Sequence, residues 1–142
     1  MKKIIAFFAA AIMALGLAAC DINKGNIDNV DIDYGNSDIY SKADMDSAIA
    51  LIKDKFTDFN GCELHSISYN SDECNSEKNL KWLNDLANGN YEFTECIMFV
   101  SDFHSPKDGG ACWDPDYEYT GWKWYLARAE NGEWILMTYG YG

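Results

Sequence analysis

Apolar residues recur every three or four positions from Met45 through Ala48, Ile49, Ile52 and Phe56 to Phe59, forming one stripe in an otherwise polar stretch. This period predicts an amphipathic helix over residues 42–59. Ser41 followed by Asp44 has the spacing of a capping box, and Gly61 is a suitable stop beyond the last turn. From Cys62 to Asn70 the chain alternates in size and polarity, which predicts a strand. After a polar loop over 71–76, Ser76 heads a short second helix, 77–87, with Leu80, Leu83, Leu86 and Ala87 on one side. Aromatic and β-branched residues mark a longer strand from Tyr91 to His104. Beyond a loop over 105–119, two more strands, 121–130 and 133–141, are joined by Asn131-Gly132, the strongest short hairpin signal. The order predicts one α+β domain over residues 41–142, with a long N-terminal helix and a short helix packed on an antiparallel sheet of about four strands.

A two-residue turn fixes cross-strand partners: Ala127 faces Leu136, Leu126 faces Met137, Tyr125 faces Thr138 and Trp124 faces Tyr139. Ala127, Ala129, Trp134 and Leu136 then share one face. Trp122, Trp124, Leu126 and Arg128 share the other with Ile135, Met137, Tyr139 and Tyr141. Two apolar faces are unusual for an antiparallel ribbon, so the second needs a cover: a curled sheet, the 105–119 loop, a partner or a ligand. Arg128, the only arginine in the chain, projects from it. A guanidinium keeps its charge. Three roles stay open: a stem that packs while the head reaches water, an ion pair with a carboxylate such as Asp102, or an anchor for a carboxylate- or phosphate-bearing ligand.

The beginning of the chain adds an address. Lys2 and Lys3 precede an uncharged, mostly apolar run over residues 4–19. That run is shorter than the roughly 20 residues a membrane span needs, but it suits an export signal. Its end, Leu17-Ala18-Ala19-Cys20, resembles the lipobox of bacterial lipoproteins. The resemblance implies removal of residues 1–19 as a signal peptide and lipidation of the Cys20 sulfur. Acyl chains such as palmitate would then hold the protein at the extracytoplasmic face of the cell membrane, each buried methylene adding about 0.8 kcal/mol. Residues 20–40 are rich in Asp and Asn without a helical stripe, which predicts an acidic linker. Asp21-x-Asn23 and Asp31-x-Asp33 look like fragments of calcium loops. Counted from Asp31, however, position 6 is Asn36 and position 12 is Lys42, so the required glycine and acidic ligand are missing.

Charge narrows the partners. With 23 Asp and Glu against 11 Lys and Arg, the net charge of −12 excludes nucleic acid, whose phosphates need a basic surface. The same charge repels anionic headgroups, leaving the lipid as the attachment.

Further motifs carry a second resemblance. Phe59-Asn60-Gly61-Cys62-Glu63-Leu64, Ile67-Ser68-Tyr69-Asn70, Trp122-Lys123-Trp124 and Asn131-Gly132-Glu133-Trp134 are similar to motifs of small bacterial lipoproteins. The order of helices and closing meander resembles the cystatin-like, nuclear-transport-factor-like cone. That likeness implies a curved sheet wrapping a helix, with a pocket at its open end. It implies no reaction, because no catalytic motif of the cone enzymes matches residue by residue.

With Cys20 lipidated, Cys62, Cys74, Cys96 and Cys112 remain, an even number in an exported chain. An extended segment after Cys62 puts it about 25 Å from Cys74, beyond the roughly 7 Å a disulfide spans. Two connectivities survive: 62–96 with 74–112, or 62–112 with 74–96. No short pair of metal ligands is present, and no metal or cofactor is expected. Asp102 and His104 share one strand face and are the candidate general bases. In the loop, Asp108, Asp114, Asp116 and Glu118 stand beside Trp113, Tyr117 and Tyr119. This mixture suits a sugar, a protein-binding rim, calcium on Asp114, Asp116 and Glu118, or a cap over the hairpin. The leading expectation is a non-enzymatic, membrane-tethered module that binds a small molecule, glycan or protein through Trp113, Tyr117, Tyr119, Trp122, Trp124, Arg128 and Tyr139. The alternatives are a small isomerase- or dehydratase-like pocket enzyme and a carbohydrate-binding envelope protein.

Overall fold

The computed structural model describes residues 23–130 and 132–141, so the export signal, Cys20 and Asn131 lie outside the described residues. The stripe from Met45 builds α1 (Lys42–Phe56), and Met45, Ala48, Ile49, Ile52 and Phe56 are all buried. The capping box forms as the spacing predicts: Ser41 Oγ accepts the Asp44 N–H (3.1 Å), and Asp44 accepts the Ser41 N–H (3.0 Å). The helix ends at Phe56 rather than 59, and Phe59 reaches the core from the turn that follows. Gly61 stands at positive φ (74°) in this turn, where its Cβ would meet Pro106 at 3.1 Å.

Residues 23–40 correct the linker expectation. β1 (Asp31–Asp33) pairs in parallel with β2 (Glu63–Tyr69), and Asn26 bridges to Glu63 ahead of it. Gly25 lies so close to the end of α1 that a Cβ there would fall 2.2 Å from the Phe56 carbonyl oxygen. The Gly25 N–H donates to the Thr57 carbonyl at 3.0 Å. Tyr40, 5% exposed, donates its hydroxyl to the Cys96 carbonyl at 2.7 Å. The segment's acidic side chains Asp28, Asp31, Asp33 and Asp38 face water, while Ile27, Val30, Ile32 and Tyr34 pack against the core, and Asp31–Asp33 is an edge strand of the sheet.

The chain continues through a 3₁₀ turn (Asp72–Cys74), α2 (Glu77–Ala87), β3 (Glu95–His104), β4 (Glu118–Arg128) and β5 (Ile135–Gly140). The fold is α+β. The sheet is mixed, with five strands in the order β1-β2-β3-β4-β5, in place of about four antiparallel strands. β1, α1 and β2 form a parallel crossover, whereas β2 to β5 run antiparallel.

The two helices take opposite faces. α1 packs with Ile67, Phe99, Trp124 and Leu126 in the main core. Leu83 and Ala87 of α2 pack with Phe93, Cys96 and Ala127, flanked by Tyr125, Ile135 and Met137. The face of Trp122, Trp124 and Leu126 is therefore covered by α1, and the opposite face of Tyr125 and Ala127, which Ile135 and Met137 share after the bulge, is covered by α2.

The hairpin register holds only at its far end. Trp124 pairs with Tyr139 and Tyr125 with Thr138, but Leu126 pairs with Leu136 and Ala127 with Ile135. A bulge lies between, and the strands stop at Arg128 and Ile135. The turn is closed by the Gly132 N–H donating to the Ala129 carbonyl at 2.9 Å. The shift has a physical cause: Trp134 and Leu136 both turn toward the main core. Trp134 packs edge-on against Tyr40 and donates its Nε1–H to the Asp44 carbonyl at 3.0 Å.

Candidate functional site

The loop after β3 folds back on itself. Ser105, 3% exposed, accepts the Tyr117 N–H at 2.9 Å and donates its hydroxyl to the Asp114 carbonyl. Pro106 accepts N–H groups from Gly109 and Asp116 (2.9 and 2.8 Å). So stitched, the loop lays Trp113 on Phe59 (5.1 Å between ring centroids) and edge-on to Phe103 (5.3 Å). From there the rings continue outward. Tyr119 stacks on Phe103 at 4.9 Å, Trp122 meets Tyr141 edge-on at 5.2 Å, and Tyr117 meets Tyr119 at 5.0 Å. The outermost rings are wet: Tyr117 is 51%, Tyr141 60% and Tyr139 40% exposed. Beneath them the Trp122 Nε1–H is buried without a hydrogen-bond partner.

The structure thus gathers Trp113, Tyr117, Tyr119, Trp122 and Tyr139 at one end of the sheet, and adds Tyr141. Trp124 belongs to the same ring cluster but is fully buried, with Nε1–H donating to Ser101 Oγ at 2.9 Å. It is a core residue rather than a contact surface. Around the β5 edge, Trp82 and Tyr125 join Tyr139 and Tyr141 to line a hollow of about 100 Å³. That is well below the roughly 300–1,000 Å³ of small-molecule pockets.

Arg128 is elsewhere. It sits at the opposite end of β4, about 30 Å from Tyr119 at the rise of a strand. Its Nε–H donates to Glu95 and its Nη1 to Asp44 (3.0 Å), and its guanidinium lies 4.2 Å from the Trp134 ring centroid. Burial works against its charge, but Glu95 and Asp44 outweigh that and hold the pKa above the ordinary arginine value. The ion pair is therefore with Asp44 and Glu95 and not with Asp102. Arg128 lines a cleft of about 690 Å³ with Asp44, Glu95 and Glu130, and an adjoining one of about 370 Å³ that includes Glu133. Four carboxylates against one guanidinium make this a poor seat for an anionic ligand.

Both histidines of the chain meet beside the aromatic end. Glu118 receives His65 Nδ1 on one carboxylate oxygen and His104 Nδ1 on the other, each at 2.8 Å. His104 Nε2 lies 2.8 Å from Asp116. A neutral imidazole has one N–H, so only the imidazolium satisfies both carboxylates. Accordingly, the hydrogen bonds to Asp116 and then Glu118 push the His104 pKa up. Asp116 and Glu118 are turned to this clasp, and among the described residues no group of three or more His, Cys, Asp or Glu is placed to hold a metal ion. Asp102 instead accepts the Gly121 N–H at 3.1 Å. His104 has both ring nitrogens engaged by carboxylates, and Asp102 is tied to the β4 backbone.

His65 could be reached only through the fold: β2 pairing with β3 sets Glu63 opposite His104. A testable consequence concerns the loop. A raised folded pKa contributes stability that is complete below the unfolded value near 6.5 and is lost as pH rises through the folded value. After correction for the intrinsic pH dependence of exchange, the amides of Ser105, Asp116 and Tyr117 should be better protected from deuterium at pH 6 than at pH 8.5. In His104→Gln that difference should vanish; its persistence would show that the clasp does not hold the loop.

No family model, curated protein or solved structure matches the chain. What the surface does has to come from its own geometry. Among the described residues no helix is long and apolar enough to cross a membrane.

Proposed function

We propose that this domain is a non-catalytic binding module, tethered to the outer face of a cell membrane through lipid on Cys20, that docks a protein partner on its aromatic end. The observation that carries the reading is the exposed set Tyr117, Tyr139 and Tyr141, continuous by ring contact with the buried core. Rigid rings held this way lose little conformational entropy on binding, and tyrosine and tryptophan dominate interface hot spots. The small hollow beside them favours a macromolecular partner over a small molecule. Asp114 and Asp116 rim the patch, so the partner presents cationic or neutral groups there.

What supports a cystatin-like reading is a helix, α1, packed on one face of the antiparallel β2–β5 meander. The tether and the surface are tested separately. Cys20→Ala should abolish incorporation of labelled palmitate and move the protein out of the membrane fraction. A photo-crosslinking residue at Tyr117 or Tyr141 in living cells should give a discrete protein adduct, whereas one at exposed Lys78 on α2 should not. If neither aromatic position gives an adduct above the Lys78 control, the binding surface is refuted whatever the fate of the tether.

A further inference from the structure

Cys62, Cys74, Cys96 and Cys112 are free thiols in the structure, and the sheet decides which can meet. Glu63, next to Cys62, pairs with His104 at the end of β3, while Cys96 lies at its start opposite Ala127. Eight to nine residues of extended strand separate the two levels, about 30 Å, so a 62–96 bond is impossible. Cys112 lies in the loop beyond His104, beside the Trp113 that packs on Phe59, and Cys74 lies by the start of β3. That removes 74–112 for the same reason.

That leaves 62–112 with 74–96, and the backbones of Cys74 and Cys96 are already side by side. Cys96 Sγ lies 3.0 Å from the Cys74 carbonyl oxygen, and Cys74 Sγ lies 3.9 Å from the Cys96 carbonyl oxygen. Asn75 Oδ1 accepts the Cys96 N–H at 3.1 Å and pins the 3₁₀ turn to the strand. Reciprocal contacts of this kind hold the two backbones about one side-chain length apart, the separation a disulfide spans. We propose that Cys74 and Cys96 are a disulfide pair that staples the turn before α2 to β3.

Bond formation proceeds by exchange with a disulfide-bearing oxidant. One thiolate attacks the oxidant, forming a mixed disulfide and releasing one thiol. The second thiolate then displaces the other half of the oxidant as a thiol, so two protein thiols are oxidised as one disulfide is reduced. Both cysteines are buried, at 6% and 1% exposure. Burial pushes the Cys96 thiol up to about 12 and raises Cys74 as well, so neither is a ready nucleophile once packed. The bond therefore forms during folding, before α2 closes over it, and afterwards resists reductants.

The staple encloses α2, and reducing it should lower the Tm by about 10 °C. The pairing itself is read by mass mapping of the full chain, extracted from membranes without reductant, denatured in N-ethylmaleimide and digested. The expected result is a peptide pair joined through Cys74 and Cys96, two hydrogens lighter than its reduced parts. The same chain is also refolded from denaturant with oxidised glutathione. Cys74→Ser with Cys96→Ser should melt like the reduced protein and be insensitive to dithiothreitol. Maleimide on both Cys74 and Cys96 after refolding, or a bridge from either to Cys62 or Cys112, overturns the pairing. A 74–96 bond on refolding, with maleimide on both in cell-derived protein, upholds the pairing and counts against the exported location.

Discussion

Trp124→Ala is expected to remove about 4 kcal/mol of folding stability, measured by urea denaturation followed by circular dichroism. Trp124 is fully buried at the centre of the ring cluster, stacked with Phe59 at 5.7 Å and tilted against Tyr139 at 5.1 Å. Truncation loses the transfer free energy of the indole and leaves a cavity that Phe59 and Phe103, tied to other rings, cannot collapse to fill. It also strands Ser101 Oγ, at 0% exposure, without the Nε1–H it accepts. Against a total stability of about 5–15 kcal/mol, such a loss leaves the domain marginal. Trp124→Phe keeps most of the volume but not the donor, and should cost about 2 kcal/mol. Tyr141→Ala removes a ring that is 60% exposed and should stay within about 0.5 kcal/mol of wild type. A Trp124→Ala variant less than 1 kcal/mol below wild type would mean that the ring cluster is not the core. The contrast matters for function, because defects in Trp124 variants report unfolding and defects in Tyr141 variants report the surface.

What the pattern of residues encodes locally was legible. The cap at Ser41, the stripe to Phe56 and the limits of α2 follow from spacing within a few turns of helix. What depends on the chain meeting itself was not. Nothing in Leu83 or Ala87 says on which side of the sheet their helix lands; that follows from α1 already occupying one face as the crossover between β1 and β2. Asp31 to Asp33 read as linker because an edge strand is held by its backbone, and its side chains are free to be polar. The hairpin failed near the turn because Asn131-Gly132 sets register only if nothing further along competes, and Trp134 does. Of the candidate site, the loop residues Trp113, Tyr117 and Tyr119 came together with Trp122 and Tyr139 because local chain direction carries them there. Arg128 shared their strand face by periodicity, yet strand length carried it to the far end. The bridge from His65 through Glu118 to His104 joins positions far apart in sequence, and no spacing rule reaches that far.

Arg128→Met is expected to destabilise the domain by about 2–3 kcal/mol at pH 7. The guanidinium ties the start of α1 (Asp44) to the start of β3 (Glu95) and the end of β4, and it lies over Trp134. Methionine keeps the packing of the stem but leaves two carboxylates facing each other without a cation. Their side chains are 30% and 36% exposed, so solvent screens part of the loss and the figure falls below that of a sealed pair. Arg128→Lys restores the charge without the fork that reaches both acids, and should recover about half. The pH dependence separates charge from packing. The Ser41 N–H, and after it Arg128, hold the Asp44 carboxyl below the usual range. A depressed folded pKa contributes stability that is present above the unfolded value near 3.8 and is lost as pH falls through the folded value. Wild type therefore loses the Arg128 share of that contribution in acid, and the variant has none to lose. The gap between wild type and Arg128→Met should narrow from pH 7 to pH 3 in parallel urea titrations. A gap of equal size at both pH values would show that Arg128 acts through its contact with Trp134 and not through its carboxylates.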